Sequence, residues 1–388
     1  MKNIDIVCFG GGDWWYHNRA HIDMQLMRRF ARESKVLYIN SIVIQKPKFG
    51  KKGRLCAKIS RKVISIMKGL RPSGEGFWVY SPVTMPVHHI SWGRWLNERI
   101  LRIQVKHVMK KLNIQNPLIY VACPGACDTG IKLGGRKLVW QRTDRWEEFP
   151  NVDNNVIRKY DQKLKRKADL TIFVNNLLYK QERDQCKKAL YLDHGVDYEL
   201  FATADRVSES PNDIKSISKP IIGFFGGIDD HTLDISFVQS VVDLLPELSF
   251  VFIGKVSCDI DGLQKKQNVW FLGQKPYEQI PHYGIYFDVA IMPWRQNRWI
   301  EACNPIKLKE YLALGKPVVS TPFSELEKYL DVVYRAQTPK QFAECIKKAL
   351  TEDNPMRIAD RRNKVMSDSW ESKAKLLLEE LFISNETA

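Results

Sequence analysis

The residues of this 388-residue chain best placed for chemistry lie in the run Asn304-Pro305-Ile306-Lys307-Leu308-Lys309-Glu310. Pro305 suits the first turn of a helix, where its missing N–H would go unpaired anyway, and Gly315 stands where a C-cap would end that helix. Lys307 then falls in the first helical turn, among peptide N–H groups that already favour an anion. A cation there opposes the helix dipole unless a negatively charged ligand takes the position. Glu310 follows three residues later on the same face, and a surface Lys–Glu pair is the alternative reading. A second candidate is Phe224-Phe225-Gly226-Gly227-Ile228, an apolar run ending in two glycines. Such a loop can bring backbone N–H groups close to a phosphate, or can simply turn the chain. Cys123 and Cys127 are the only close cysteine pair, and without a second Cys/His pair at metal spacing no metal site is expected.

Short β-branched or aromatic runs alternate with helical patterns throughout, as in α/β units around parallel sheets. Strands are predicted at 4–9, 36–39, 77–81, 118–122, 138–141, 170–174 and 189–192, then at 221–225, 250–253, 269–272, 289–292 and 317–320. The polar segment 203–219 between the two series is the predicted linker. The expectation is two Rossmann-like doubly wound domains, 1–205 and 206–365, with a ligand cleft between them and a final helical segment over 366–388.

Three segments carry a resemblance to the nucleotide-sugar glycosyltransferases of the GT-B fold, close to the large family that builds bacterial polysaccharides. Pro305-Ile306-Lys307 through Glu310 to Gly315-Lys316-Pro317 looks like that family's donor-site helix. Ile222-Gly223-Phe224-Phe225-Gly226-Gly227-Ile228 is similar to the loop that meets the donor diphosphate, and His194-Gly195-Val196-Asp197 resembles the signature ending the N-terminal domain. The resemblance implies sugar transfer from a nucleoside diphosphate sugar, a UDP-sugar before a GDP-sugar, to an acceptor on the N-terminal domain. It also implies a C-terminal helix crossing back to that domain, and no cofactor or metal. In it Lys307 and the amides near Gly227 and Ile306 stabilise charge on the leaving diphosphate, and Glu310 accepts hydrogen bonds from the ribose. Gly226, Ile228, Asn304 and Pro305 belong to the same donor-binding set. Trp294 lines the donor site or is a core residue.

Retaining relatives carry a first glutamate where this chain has Ala302, with Glu301 one residue away, so retention of configuration does not follow. An inverting enzyme needs a base for the acceptor hydroxyl. Asp144, which resembles an acceptor-side aspartate of related membrane-associated enzymes, is the first choice; an ion pair with Arg142 or Arg145 is its rival. Asp13 and His21 rank behind it. Asp259-Ile260-Asp261 spells the metal-binding pattern of a different glycosyltransferase fold, but so short a pattern arises by chance.

Charge sharpens the acceptor side. The chain carries +16, yet residues 1–200 hold 37 basic and 18 acidic residues, and the remainder is near neutral. Between Ser34 and Gly74 there is no acidic residue, and Leu55, Ile59, Val63, Ile66, Met67 and Leu70 follow helical spacing beside Arg54, Lys58, Arg61, Lys62 and Lys68. A basic helix with an apolar stripe is built for an anionic membrane surface, so 46–71 is the predicted docking segment; a helix packed on the sheet is the alternative. Trp92–Leu112 is a weaker second segment. No run is long and apolar enough to span a bilayer, and scattered cysteines fit a reducing compartment. The expected place is therefore the cytoplasmic face of the cell membrane, and the acceptor a lipid-linked saccharide. A nucleic-acid-binding protein is the rival from another class, without a motif to support it, and a nucleotide-sugar epimerase is the rival within the fold.

Overall fold

A computed structural model describes residues 4–16, 21–42, 52–85, 90–206 and 211–382 and, of residues 52–59, the backbone. The chain divides into two compact units, Met1–Asp193 with Lys373–Ala388, and His194–Ser372.

The leading elements of the first unit are β1 (Ile6–Phe9), α1 (Ile22–Phe30), β2 (Val36–Ile39), α2 (Lys52–Lys68), β3 (Leu70–Pro72), β4 (Trp78–Tyr80), α3 (Ser91–Lys111), β5 (Leu118–Val121), α4 (Cys127–Leu133), β6 (Lys137–Arg142), α5 (Asn154–Lys167), β7 (Leu170–Phe173) and β8 (Ala189–Tyr191). Strand order is β3-β4-β2-β1-β5-β6-β7-β8, and every pairing is parallel except β3 with β4. Four-residue strands buried on both faces read as unbroken apolar runs, as Ile6–Phe9 and Val36–Ile39 do. Val7, Phe9, Leu37 and Ile39 pack with Leu101 and Val105 of α3 and Leu164 of α5. β3 departs from expectation: Gly69, with φ +54°, ends α2, so Leu70 leaves the predicted helical stripe and pairs with Tyr80.

The second unit contains β9 (Ile221–Phe225), β10 (Ser249–Ile253), β11 (Val269–Gly273), β12 (Val289–Met292), β13 (Val318–Ser320) and β14 (Val333–Arg335), in the order β11-β10-β9-β12-β13-β14, all parallel. Each sheet reverses direction beside its first strand, between β1 and β5 and between β9 and β12. At such switch points the loops leaving the carboxyl ends separate and make room for a ligand.

The units meet the chain at different places from those predicted. The segment from His194 belongs to the second unit, because Lys309 Nζ donates to His194 O (2.6 Å) and Asp368 Oδ2 (2.7 Å). Phe201 packs on Tyr277 and Phe225 at 5.9 and 6.4 Å, and a Cβ on Gly195 would stand 2.7 Å from the Trp370 ring. The polar segment 203–219 therefore lies inside this unit. The helix Trp370–Phe382 enters the first unit at Lys373, not at 366. There Lys373 pairs with Asp193 at 2.6 Å, Lys188 with Glu380 at 2.7 Å, and Lys137 Nζ donates to Leu381 O.

Candidate functional site

In the second unit the loop after β9 meets the helix Ile306–Ala313. Pro305 is the N-cap (φ −78°, ψ 118°) and not a first-turn residue, so Ile306 and Lys307 open the helix with their N–H groups outside its ladder. Gly226 sits at φ +140°, and a Cβ there would lie 2.4 Å from Lys307 Nζ. Only glycine combines that backbone with this approach. Gly254 serves the same end, since its Cβ would collide with Gly226 O. The Lys307 ammonium stands 4.5 Å from the Phe224 ring centroid and 5.5 Å from that of Trp294. Among the described residues it makes no ion pair. Burial lowers its pKa to about 8, opposed by Glu310, Asp229 and Cys303.

Glu310 is buried and accepts a hydrogen bond from Tyr277 OH at 3.0 Å. Burial raises its pKa to about 7, against the Tyr277 hydrogen bond and the Lys307 charge. Tyr311, on the same helix, accepts from Phe225 N at 2.9 Å and packs against its ring at 4.3 Å with the planes tilted by 48°, fixing the helix to the end of β9. Trp294 is both core and wall: it is buried, packs on Phe323 at 5.5 Å and faces Lys307. Asn304 is buried at the turn before the helix.

The Ile228 amide donates to Lys255 O at 3.0 Å and the Gly226 amide to Ile253 O at 2.9 Å, because the chain stays extended beside β10. Gly227 is then the loop amide with no hydrogen-bond acceptor among the described residues. Ala302 is fully buried and Glu301 exposed, so no carboxylate stands on the buried side of that turn at 302. Asp259 Oδ1 accepts from Asp261 N (3.0 Å) at the start of the short helix Asp261–Gln264, a local turn contact. Tyr277, which follows Pro276 after β11, has no spacing in the sequence to mark it, and Phe224 is read there as part of the glycine loop without its ring contact to Lys307.

In the first unit Asp144 follows β6. Arg142 is buried and holds this turn, donating to Asp144 O at 2.8 Å. Its guanidinium pairs with both oxygens of Glu147 at 3.0 Å, with Glu182 at 3.3 Å and with Asp161 at 3.4 Å, while Lys165 pairs with Asp161 and Glu182 at 2.5 Å each. Arg142 is thus committed to the network of Glu147, Asp161, Glu182 and Lys165, and touches Asp144 through its backbone. Asp13 Oδ1 accepts from Trp15 N at 3.1 Å. His21 precedes α1, and burial alone lowers its pKa to about 4.

Lys46, Lys48 and Lys51 lie outside the described residues, as do the side chains of 52–59. Over 60–68, Val63, Ile64 and Met67 are 48, 49 and 79% exposed, whereas Ser65 is buried. Ser65 OH donates to Asp13 Oδ2 at 2.7 Å and lies 3.0 Å from Ser81 Oγ, and Asn40 Nδ2 donates to Ser81 Oγ at 2.8 Å. Over 60–68, therefore, Ser65 faces the β1 loop while Val63, Ile64 and Met67 face solvent. No helix among the described residues is long and apolar enough to cross a membrane. On α3, Trp92 and Trp95 are exposed.

Residues 219–352 match the family described as glycosyl transferases group 1. A protein of Bacillus subtilis (strain 168) described as a teichuronic acid biosynthesis glycosyltransferase, TuaH, is 25% identical over 255 residues; the match covers 60% of this chain and 64% of that protein. Sucrose-phosphate synthase from Thermosynechococcus elongatus superposes with a TM-score of 0.72 at 15% identity, over 99% of this chain and 100% of that one. HepE from Anabaena, solved with UDP and glucose, gives 0.66 at 13% identity, over 97% and 98%. These structural likenesses establish the GT-B fold.

Proposed function

We propose that this chain, a GT-B protein whose residues 219–352 form a group 1 glycosyl transferase domain, transfers a sugar from a nucleoside diphosphate sugar to a lipid-linked saccharide in the synthesis of a cell-surface polysaccharide such as a capsule. The observation that carries the reading is Lys307, a cation withdrawn between Phe224 and Trp294 against Gly226 that makes no ion pair among the described residues. Removing a cation from water costs several kcal/mol unless an anion compensates, and a diphosphate is the anion this loop and helix start fit. UDP is the favoured nucleotide, as in the HepE complex. Glu310 takes the ribose hydroxyls.

As the glycosidic bond breaks, negative charge gathers on the leaving diphosphate. Lys307 and the amides of Gly227 and Ile306 stabilise it without need of a metal. Asp144 receives the acceptor hydroxyl's proton, on a turn held rigid by Arg142. The exposed apolar side of α2, among Arg61, Lys62 and Lys68, rests on an anionic membrane at the cytoplasmic face. The test is thermal shift with UDP, GDP, ADP and their sugars on wild type and Lys307→Ala. Stabilisation by UDP that disappears in the variant is expected; no stabilisation of wild type by any nucleotide defeats the proposal. Sugar transfer persisting in Asp144→Asn removes Asp144 as the base.

A further inference from the structure

The donor chemistry leaves a second constellation unused, beyond the carboxyl ends of β1, β2 and β4 in the first sheet. The loop leaving β1 carries Trp14-Trp15-Tyr16. Trp14 turns inward onto Phe77 and Tyr38, with ring centroids at 4.8 and 5.8 Å. Trp15 is half-buried and Tyr16 exposed. Trp15 Nε1 donates to Ser81 Oγ at 3.3 Å, which fixes the tilt of its ring. α2 lies along this loop. Lys62 Nζ donates to Ser41 O at 3.0 Å, and Lys68 Nζ stands 4.4 Å over the Trp15 ring and 5.9 Å from that of Tyr16. Among the described residues neither ammonium has an ion-pair partner. The carboxylate in the group, Asp13, is held by Ser65 OH at 2.7 Å and Trp15 N at 3.1 Å.

We propose that this is a binding site for a pyranose joined to a phosphate. The ring face of Trp15 is a rigid platform for the C–H face of a sugar. Asp13, already oriented by two donors, accepts a sugar hydroxyl. Lys62 and Lys68 receive the phosphate in charge-assisted hydrogen bonds. Lys68 now rests on aromatic rings, an interaction worth about 0.5–2 kcal/mol, and a phosphate is the stronger partner for it. The same helix presents Val63, Ile64 and Met67 to solvent, so a hydrocarbon chain leaving the phosphate meets apolar surface at once. The ligand class is a prenyl-diphosphate-linked sugar. Its role as acceptor rests on the transferase reading above; the site itself does not.

The test measures binding by calorimetry in a Lys307→Met background, which removes the diphosphate contact at Lys307. The probes are farnesyl-diphosphate-linked glucose, galactose and N-acetylglucosamine, the matching octyl glycosides, and inorganic pyrophosphate. At least one farnesyl probe is expected to bind ten-fold tighter than its octyl glycoside and than pyrophosphate. Lys62→Gln with Lys68→Gln should weaken that probe ten-fold or more and leave the octyl glycoside unchanged. Trp15→Ala should weaken both, and Trp15→Phe, which keeps the platform and guards against misfolding, should restore most of the affinity. No binding of any farnesyl probe, an unchanged affinity in the double lysine variant, or pyrophosphate binding as tightly as the full probe each overturns the site. Probe binding in a protein that no UDP-sugar stabilises would keep the site and remove only its acceptor role.

Discussion

At the scale of single residues, Lys307 and Glu310 are held against their own protonation preferences. Lys307 has its pKa lowered to about 8, so its favourable contribution to folding is present above the ordinary lysine value and is lost as pH falls through 8. Glu310 has its pKa raised to about 7, so its contribution is present below the ordinary glutamate value and is lost as pH rises through 7. Between the two values both groups are charged in the fold, and both cost stability in the absence of ligand. Lys307→Met should therefore stabilise the ligand-free protein by about 1–2 kcal/mol in chemical denaturation at pH 7.5 while abolishing its stabilisation by UDP. A variant less stable than wild type would mean that the ammonium is structural. UDP affinity, measured by calorimetry from pH 5.5 to 9.5, should peak between 7 and 8. It should fall about ten-fold per unit on the acid side as Glu310 gains its proton, and on the basic side as Lys307 loses its own. A flat profile would separate these two groups from nucleotide binding. That Lys307 opens a helix was legible from Pro305 and Gly315 in sequence. Its seat between Phe224 and Trp294 was not, because those aromatics come from β9 and from the turn after β12, brought together only by tertiary packing.

At the scale of elements, the strands of both sheets were readable because each is a short apolar run closed by polar or glycine residues, as Val36–Ile39 and Val289–Met292 show. β3 and β14 were not, being three residues each, one with a proline and one with an arginine. The orientation of α2 was only half legible. Its periodicity gave an apolar stripe, but the direction of that stripe depends on Ser65, whose hydroxyl joins Asp13, Ser81 and, at 3.4 Å, Asn40 in a network assembled from β1, β2 and β4. Ser65→Ala leaves those partners short of a hydrogen bond and should cost about 1–3 kcal/mol in urea denaturation of the full chain. A change below 0.5 kcal/mol would show that the network does not hold the helix. The opposite side of α2 predicts a separable effect. Replacing Val63, Ile64 and Met67 by serine should leave stability and the UDP thermal shift near wild type, since these side chains face solvent, and should reduce co-sedimentation with phosphatidylglycerol vesicles at least five-fold. Unaltered co-sedimentation would assign membrane contact to other residues.

At the scale of the molecule, the charge imbalance read from the sequence belongs to the first unit. Met1–Asp193 with Lys373–Ala388 holds 39 basic and 19 acidic residues, or +20, and His194–Ser372 holds 21 and 25, or −4. The unit that holds Lys307 is slightly acidic overall and keeps that cation withdrawn; among the described residues the strongly basic unit carries its charge mainly on exposed side chains. These two kinds of positive charge answer differently to salt. Exposed charges are screened within about 8 Å at physiological ionic strength, whereas a charge between Phe224, Trp294 and Gly226 has little electrolyte around it. Raising NaCl from 50 to 500 mM should therefore weaken vesicle co-sedimentation at least ten-fold and change the UDP dissociation constant less than three-fold. If the two fell in parallel, nucleotide binding would depend on the diffuse field of the basic unit and not on the seat of Lys307. If neither fell, the +20 of the first unit would have no part in drawing the protein to an anionic surface, and the apolar side of α2 would have to account for membrane contact alone.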